Sequence, residues 1–192
     1  IETTQIGAIK SGQLLLEINA FANPFPNIKC TISSFITQFL KQNGNEGLIE
    51  EFDMQPFEIS VLDKRRTLTE KLVSLIRCSL ADNYTEELIA KIRHFYDLHY
   101  LLTDKECLEY MKSPEFKLDF NLLLAHDRQL FAKPDGWQTK DISDSPLVKD
   151  LPSVWAQLKN TYNREMPDLA YKSTPTVDEI EASILTIIDF IS

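Results

Sequence analysis

The chain is predicted to be an α+β protein, a small mixed β lobe over residues 1–64 followed by a helical lobe over residues 65–192. Three observations carry that prediction. Phe57-Glu58-Ile59-Ser60-Val61-Leu62 alternates apolar and polar side chains, the period of a strand. From Thr67 onward the apolar spacing changes to that of a helix. Only 5 of 192 residues are glycine, too few for a glycine-rich barrel or sandwich.

The elements follow in order. Gln5 to Lys10 and Gln13 to Phe21 are β-prone runs around Ser11-Gly12, a hairpin turn signal. Asn23-Pro24-Phe25-Pro26-Asn27 breaks the chain. Ile28 to Ile32 fits a further strand. Ser34 to Gln42 fits a short helix ending near Gly44, where an achiral residue tolerates the left-handed turn that stops a helix. Thr67 followed by Glu70 reads as a capping box at a helix start, and Leu68, Leu72, Leu75, Ile76 and Ser79 line one face of that helix. Asn83-Tyr84-Thr85 interrupts, with Thr85 as cap of a second helix running through Leu102. Further helices are expected over Asp104–Met111, Glu115–Gln129, Ser153–Glu165 and Val177–Phe190. Lys133 to Asp150 reads as a polar loop.

Charge limits the functions on offer. The formal net charge is -9 with a pI near 4.9, and an acidic surface repels phosphate backbones. Broad nucleic-acid binding is therefore disfavoured, and any anion site must be a local exception. Lys64, Arg65, Arg66, Lys71 and Arg77 form such an exception. Cys30, Cys78 and Cys107 are odd in number and widely spaced, which points to free thiols in a reducing cytoplasm rather than a disulfide framework. His94, His99 and His126 lack zinc-ligand spacing. No apolar run reaches membrane-spanning length.

Three charged residues stand among apolar neighbours, where desolvation demands a partner or a function. Glu17 interrupts Leu14-Leu15-Leu16-Glu17-Ile18-Asn19; it is either a solvated residue on a strand or a carboxylate projecting from a sheet. Lys71 flanks the stripe of Leu68, Leu72 and Leu75; it either snorkels or serves a phosphate-attracting corner with Arg66 and its basic neighbours. Asp97 lies four residues after Arg93; the two either form an ordinary helix ion pair, or Asp97 faces one cleft with Lys71 while Arg93 tunes it.

Thr67-Leu68-Thr69-Glu70-Lys71 together with Arg93-His94-Phe95-Tyr96-Asp97-Leu98 resembles the later motifs of the AbiEii/AbiGii family, nucleotidyltransferase-fold toxins of abortive-infection and type IV toxin–antitoxin systems. Leu16-Glu17-Ile18-Asn19 is similar to the strand that follows that family's catalytic aspartates. His126 to Phe131, and Leu151-Pro152 with Trp155, Leu158, Tyr162 and Met166, resemble its final part. The resemblance implies that the β lobe is part of a nucleotidyltransferase-like core. It implies that Lys71 contacts nucleotide phosphates, that Asp97 supports the active site, that Arg66 and Arg93 help bind substrate, and that Glu17 is a metal-binding or base-like carboxylate. The implied chemistry is transfer of a nucleotide from a nucleoside triphosphate with Mg²⁺, to a nucleic-acid or other acceptor, under control of an antitoxin protein.

One departure changes the expectation. The family's first motif is Gly-Ser followed by Asp-x-Asp, and this chain contains neither. In the family that motif precedes the Leu-Glu-Ile-Asn type strand, so here it would fall before Ile1. The chain is expected to be the C-terminal portion of such a protein and to be inactive in metal-dependent transfer by itself. Two other readings remain: a non-catalytic binding module, and an unrelated α+β domain whose charged pairs are structural.

Overall fold

A computed structural model of the chain describes residues 26–170 and 173–191. Glu17 and the two β-prone runs before Asn23 lie outside the described residues. The chain divides into two compact units, residues 20–66 and a helical unit that includes residues 67–192.

Within the first unit, β1 (Asn27–Ile32) pairs antiparallel with β2 (Phe57–Leu62) in a register that sets Asn27 opposite Leu62 and Ile32 opposite Phe57. Between them lie two helices, α1 (Phe35–Gln42) and α2 (Glu46–Glu51). The Ser34 hydroxyl caps α1 by accepting the Thr37 amide at 3.0 Å. The Thr37 hydroxyl, fully buried, donates to the Met54 carbonyl at 2.8 Å and so ties α1 to the chain after α2. Both helices stop the same way. After α1, Gly44 turns left-handed (φ 69°), while the amides of Gly44 and Asn45 return to the carbonyls of Lys41 and Leu40. After α2 the same two bonds run from Asp53 and Met54 to Glu50 and Ile49, but the left-handed residue is Asp53 (φ 52°). The second helix escapes the sequence reading because it is six residues long and contains Gly47.

This unit buries little. Among its described residues only Thr37, Leu40, Ile49 and Asp63 are fully buried, whereas Phe35, Ile36, Phe39, Phe52 and Phe57 are each 60% or more exposed.

The helix α3 (Lys64–Ser79) follows β2 at once. It starts a turn earlier than the Thr67–Glu70 capping box predicts, because Asp63 intervenes. The Asp63 carboxylate accepts the Arg65 amide at 2.8 Å and both Nε and Nη2 of the Arg65 guanidinium, at 3.0 and 2.8 Å. These bonds hold the Asp63 carboxyl below its ordinary value and place a negative charge where the helix dipole favours one. Thr67 and Glu70 thereby become interior residues of α3.

The expected helix from Thr85 to Leu102 is in fact two, α4 (Tyr84–Ile89) and α5 (Ile92–Thr103), with Ala90 and Lys91 between them. Thr85 does not cap; its hydroxyl donates to Gln157 at 2.9 Å. Then come α6 (Lys105–Met111), capped by the Asp104 carboxylate on the Cys107 amide at 3.1 Å, and α7 (Pro114–Leu130). The segment read as a polar loop holds two 3-10 turns, Trp137–Thr139 and Ile142–Asp144, and the short α8 (Pro146–Lys149). Long helices α9 (Leu151–Leu169) and α10 (Val177–Ile191) finish the fold.

One continuous apolar core fills the helical unit. In it α5 packs against α9 and α10, and Phe95 meets Trp155 at 5.3 Å between ring centroids, with Tyr162 5.5 Å beyond. The polar ends of these rings are matched: Trp155 Nε1 donates to the Val177 carbonyl at 2.9 Å and the Tyr162 hydroxyl to the Pro175 carbonyl at 3.1 Å. Burial pushes the Tyr162 phenol upward. A polar tie joins α5 to α10: His99 Nδ1 lies 2.8 Å from the Ser183 hydroxyl, which donates to the Glu179 carbonyl at 2.9 Å. No described helix is long and apolar enough to cross a membrane. Cys78 and Cys107 are buried free thiols and Cys30 is a half-buried one.

Candidate functional site

The two embedded charges that stand out in the sequence meet. Lys71, on α3, donates from Nζ to Asp97 Oδ2 on α5 at 2.7 Å, across 26 residues of chain. Each helix places its charge beside buried residues, Leu68 and Leu72 around Lys71, Tyr96 and Leu98 around Asp97. Both side chains remain partly solvated, 23% and 33% exposed. Lys71 therefore does not snorkel into water, and Asp97 pairs across helices rather than with Arg93 four residues earlier on its own helix. Arg93 is exposed and has no ion partner among the described residues.

His94 sits within this group. Its ring is neutral at physiological pH: burial, then the Lys71 ammonium, bring its pKa down to about 4, with Lys91 and Arg93 lowering it further and Asp97 opposing them. Its Nδ1 is buried with no hydrogen-bond partner among the described residues. The causes of that shift also map the surroundings. Three cations, Lys71, Lys91 and Arg93, and one carboxylate act on one imidazole, which makes this part of the helical unit locally positive in a chain of charge -9. Neither Lys91 nor the neutral state of His94 is legible in the sequence. Lys91 belongs to the break between α4 and α5, a break the apolar pattern does not reveal.

The rest of the basic run disperses. Arg65 is held by Asp63. Arg77, six residues from Lys71 and so about 120° away around the helix axis, turns to a different face of α3. There it donates to Asp127 Oδ2 at 3.0 Å, with its guanidinium 4.0 Å from the centre of the Phe131 ring. Burial raises the Asp127 carboxyl above its ordinary value even though Arg77 pulls it down. Arg66 lies in the first turn of α3, within the unit of residues 20–66.

A separate depression of roughly 310 Å³ opens between α3 and the segment around α8, lined by Ser79, Lys140, Asp144 and Lys149 among others. Its lysines are matched, Lys140 by the Leu80 carbonyl and Asp82 at 2.6 and 3.1 Å, Lys149 by Asp144 at 3.2 Å. Beneath them the Ser79 and Ser145 hydroxyls touch at 2.6 Å.

A metal finds no donor set in the described residues. They contain no group of three or more His, Cys, Asp or Glu side chains able to share an ion, and the one carboxylate in the positive group, Asp97, is bonded to Lys71. The described residues thus do not fit the Mg²⁺ that the resemblance implies, and Glu17 lies outside them.

Comparison with known proteins agrees with the motifs. The family model described as "Nucleotidyl transferase AbiEii toxin, Type IV TA system" matches residues 2–183, nearly the whole chain. No curated protein and no solved structure matches it.

Proposed function

The chain belongs to the AbiEii nucleotidyl transferase toxin family of type IV toxin–antitoxin systems, and from that premise we propose that Lys71, held in place by Asp97, is the triphosphate-gripping group of its transfer site. The observation that carries the reading is the interhelical contact at 2.7 Å within a locally positive group. Lys71 supplies a compact, mobile point charge, suited to phosphate oxygens. Asp97 positions it. Arg93, exposed one turn away on α5, is the substrate-binding companion; Arg66 is proposed in the same role and Glu17 as the third carboxylate, on the strength of the motif alone. Nucleotidyl transfer is mostly positioning and charge neutralisation, and these residues offer both.

Nucleotidyl transferases in general draw on divalent metals. The paired aspartates that would hold one are missing from this sequence. The chain by itself is accordingly proposed to bind a nucleoside triphosphate without transferring it. Family membership carries an antitoxin partner and a nucleotide substrate in general terms; a nucleic-acid acceptor and a cytoplasmic location belong to the same proposal.

A second reading, a non-catalytic interaction module, draws on a different observation. Phe35, Ile36 and Phe39 expose three large apolar side chains from one short helix.

Equilibrium binding of each nucleoside triphosphate, alongside incubation of labelled triphosphates with Mg²⁺, tests both readings. Binding weakened by Lys71→Ala, with no labelled product, is the expected result. Robust transfer by this chain would overturn the inactivity; binding indifferent to Lys71→Ala would overturn the site and favour the interaction module.

A further inference from the structure

We propose that the Lys71–Asp97 ion pair is an electrostatic latch, in which Asp97 occupies the Lys71 ammonium in the empty chain and a polyphosphate takes it over on binding. The inference rests on the reading of Lys71 as a phosphate contact and adds how that contact is regulated.

The geometry makes the pair exchangeable. Asp97 Oδ2 is the only hydrogen-bond partner that Lys71 Nζ has among the described residues, and Lys71 the only one that the Asp97 carboxylate has. The pair is single, not bidentate, and at 23% and 33% exposure water reaches both sides. Such a pair contributes little, because solvent screens it and two flexible side chains must be held to form it. A polyphosphate brings several negative charges and many acceptor oxygens to the same ammonium, so exchanging one carboxylate for it is favourable. Contrast the Arg77–Asp127 pair on another face of α3. There both partners are near 14% exposed or less and the guanidinium stacks on Phe131, so that pair does not exchange.

Asp97 also opposes the ligand directly. A carboxylate that has lost its cation to a phosphate stands beside that phosphate, like charge against like. The adjacent His94 does not neutralise it: its ring is uncharged and its Nδ1 has no hydrogen-bond partner among the described residues. Arg93 is the one cation on the same helix and turn that can swing in. The latch thus lowers affinity in exchange for keeping Lys71 oriented and the empty site from capturing adventitious anions.

The sign of one substitution decides the matter. Affinity for inorganic tripolyphosphate, measured by calorimetry at low salt, is compared among the parent chain, Lys71→Ala, Asp97→Asn and Asp97→Ala. Lys71→Ala is expected to weaken binding at least about tenfold, the loss of one charge-assisted contact. Both Asp97 variants are expected to tighten it, by about two- to fivefold, the worth of the partly exposed pair now released. Using two Asp97 variants, each checked for folding by circular dichroism, separates charge removal from local damage. If Lys71→Ala weakens binding but neither folded Asp97 variant tightens it, the latch is wrong and the site stands. If Lys71→Ala leaves binding unchanged, the site itself falls and the latch with it.

Discussion

Replacing Arg77 with alanine should be among the most damaging changes to the helical unit. Arg77 and Asp127 are 14% and 13% exposed and 3.0 Å apart. Removing one partner of a fully buried pair costs about 3–5 kcal/mol, because the other charge stays behind unpaired. Slight solvent access moves this case to the lower end, and loss of the guanidinium stacked 4.0 Å over Phe131 adds about 0.5–1 kcal/mol. The expected loss is therefore about 3–4 kcal/mol, a large share of the few kcal/mol by which a domain is stable. Its pH dependence has a definite sign. Burial holds the folded Asp127 carboxyl above its ordinary 3.8, so the folded chain binds that proton more tightly than the unfolded one. The contribution of Asp127 to stability thus declines as pH rises through the raised value. Without Arg77 the value climbs further, so the deficit of Arg77→Ala should be smallest in mild acid and largest at neutral pH. Urea unfolding followed by far-ultraviolet circular dichroism at several pH values measures this. Adding Asp127→Asn should restore part of the loss, since the buried carboxylate, left with only His126 at 3.7 Å, is gone. A deficit below about 1 kcal/mol, or a double variant no better than the single, would refute the reasoning.

Two further outcomes follow from other places in the fold. Native thiol labelling should modify Cys30 first, because Cys78 and Cys107 are buried and burial also raises the Cys78 thiol; fast labelling of all three would contradict the packing of α3 and α6. Asp53→Gly should stabilise the unit of residues 20–66 by about 0.5–1 kcal/mol, since Asp53 holds a left-handed turn at φ 52° that glycine adopts without steric cost, as read by the urea midpoint at constant slope.

Much of the fold was readable in the sequence wherever a periodic run was bounded by clear punctuation. Both strands of the described sheet carry the residues expected, and α1 ends at the glycine that stops it. Failures occur where a tertiary or long-range partner outweighs a local signal. The Thr67–Glu70 pattern satisfies a capping rule, but Asp63 begins the helix earlier because it offers the amides and Arg65 a carboxylate at once. The break at Ala90 and Lys91 involves no proline or glycine and left no mark in the apolar spacing. For the site, Lys71 and Asp97 draw notice because charge beside a core requires compensation. Their pairing does not, since periodicity carries no information across 26 residues, and Arg93 is the nearer candidate in sequence. The same limit hides Arg77–Asp127, 50 residues apart.

The tie between α5 and α10 has a consequence for enzyme classes. A serine oxygen 2.8 Å from an imidazole nitrogen has the spacing of a nucleophile with its activating base. Hydrogen counting says otherwise. With Ser183 donating its single proton to the backbone oxygen of Glu179, its oxygen is left to accept from the Nδ1–H tautomer of His99, which has no lone pair facing it. In that arrangement His99 and Ser183 serve as a rivet between two helices rather than as a base and its nucleophile.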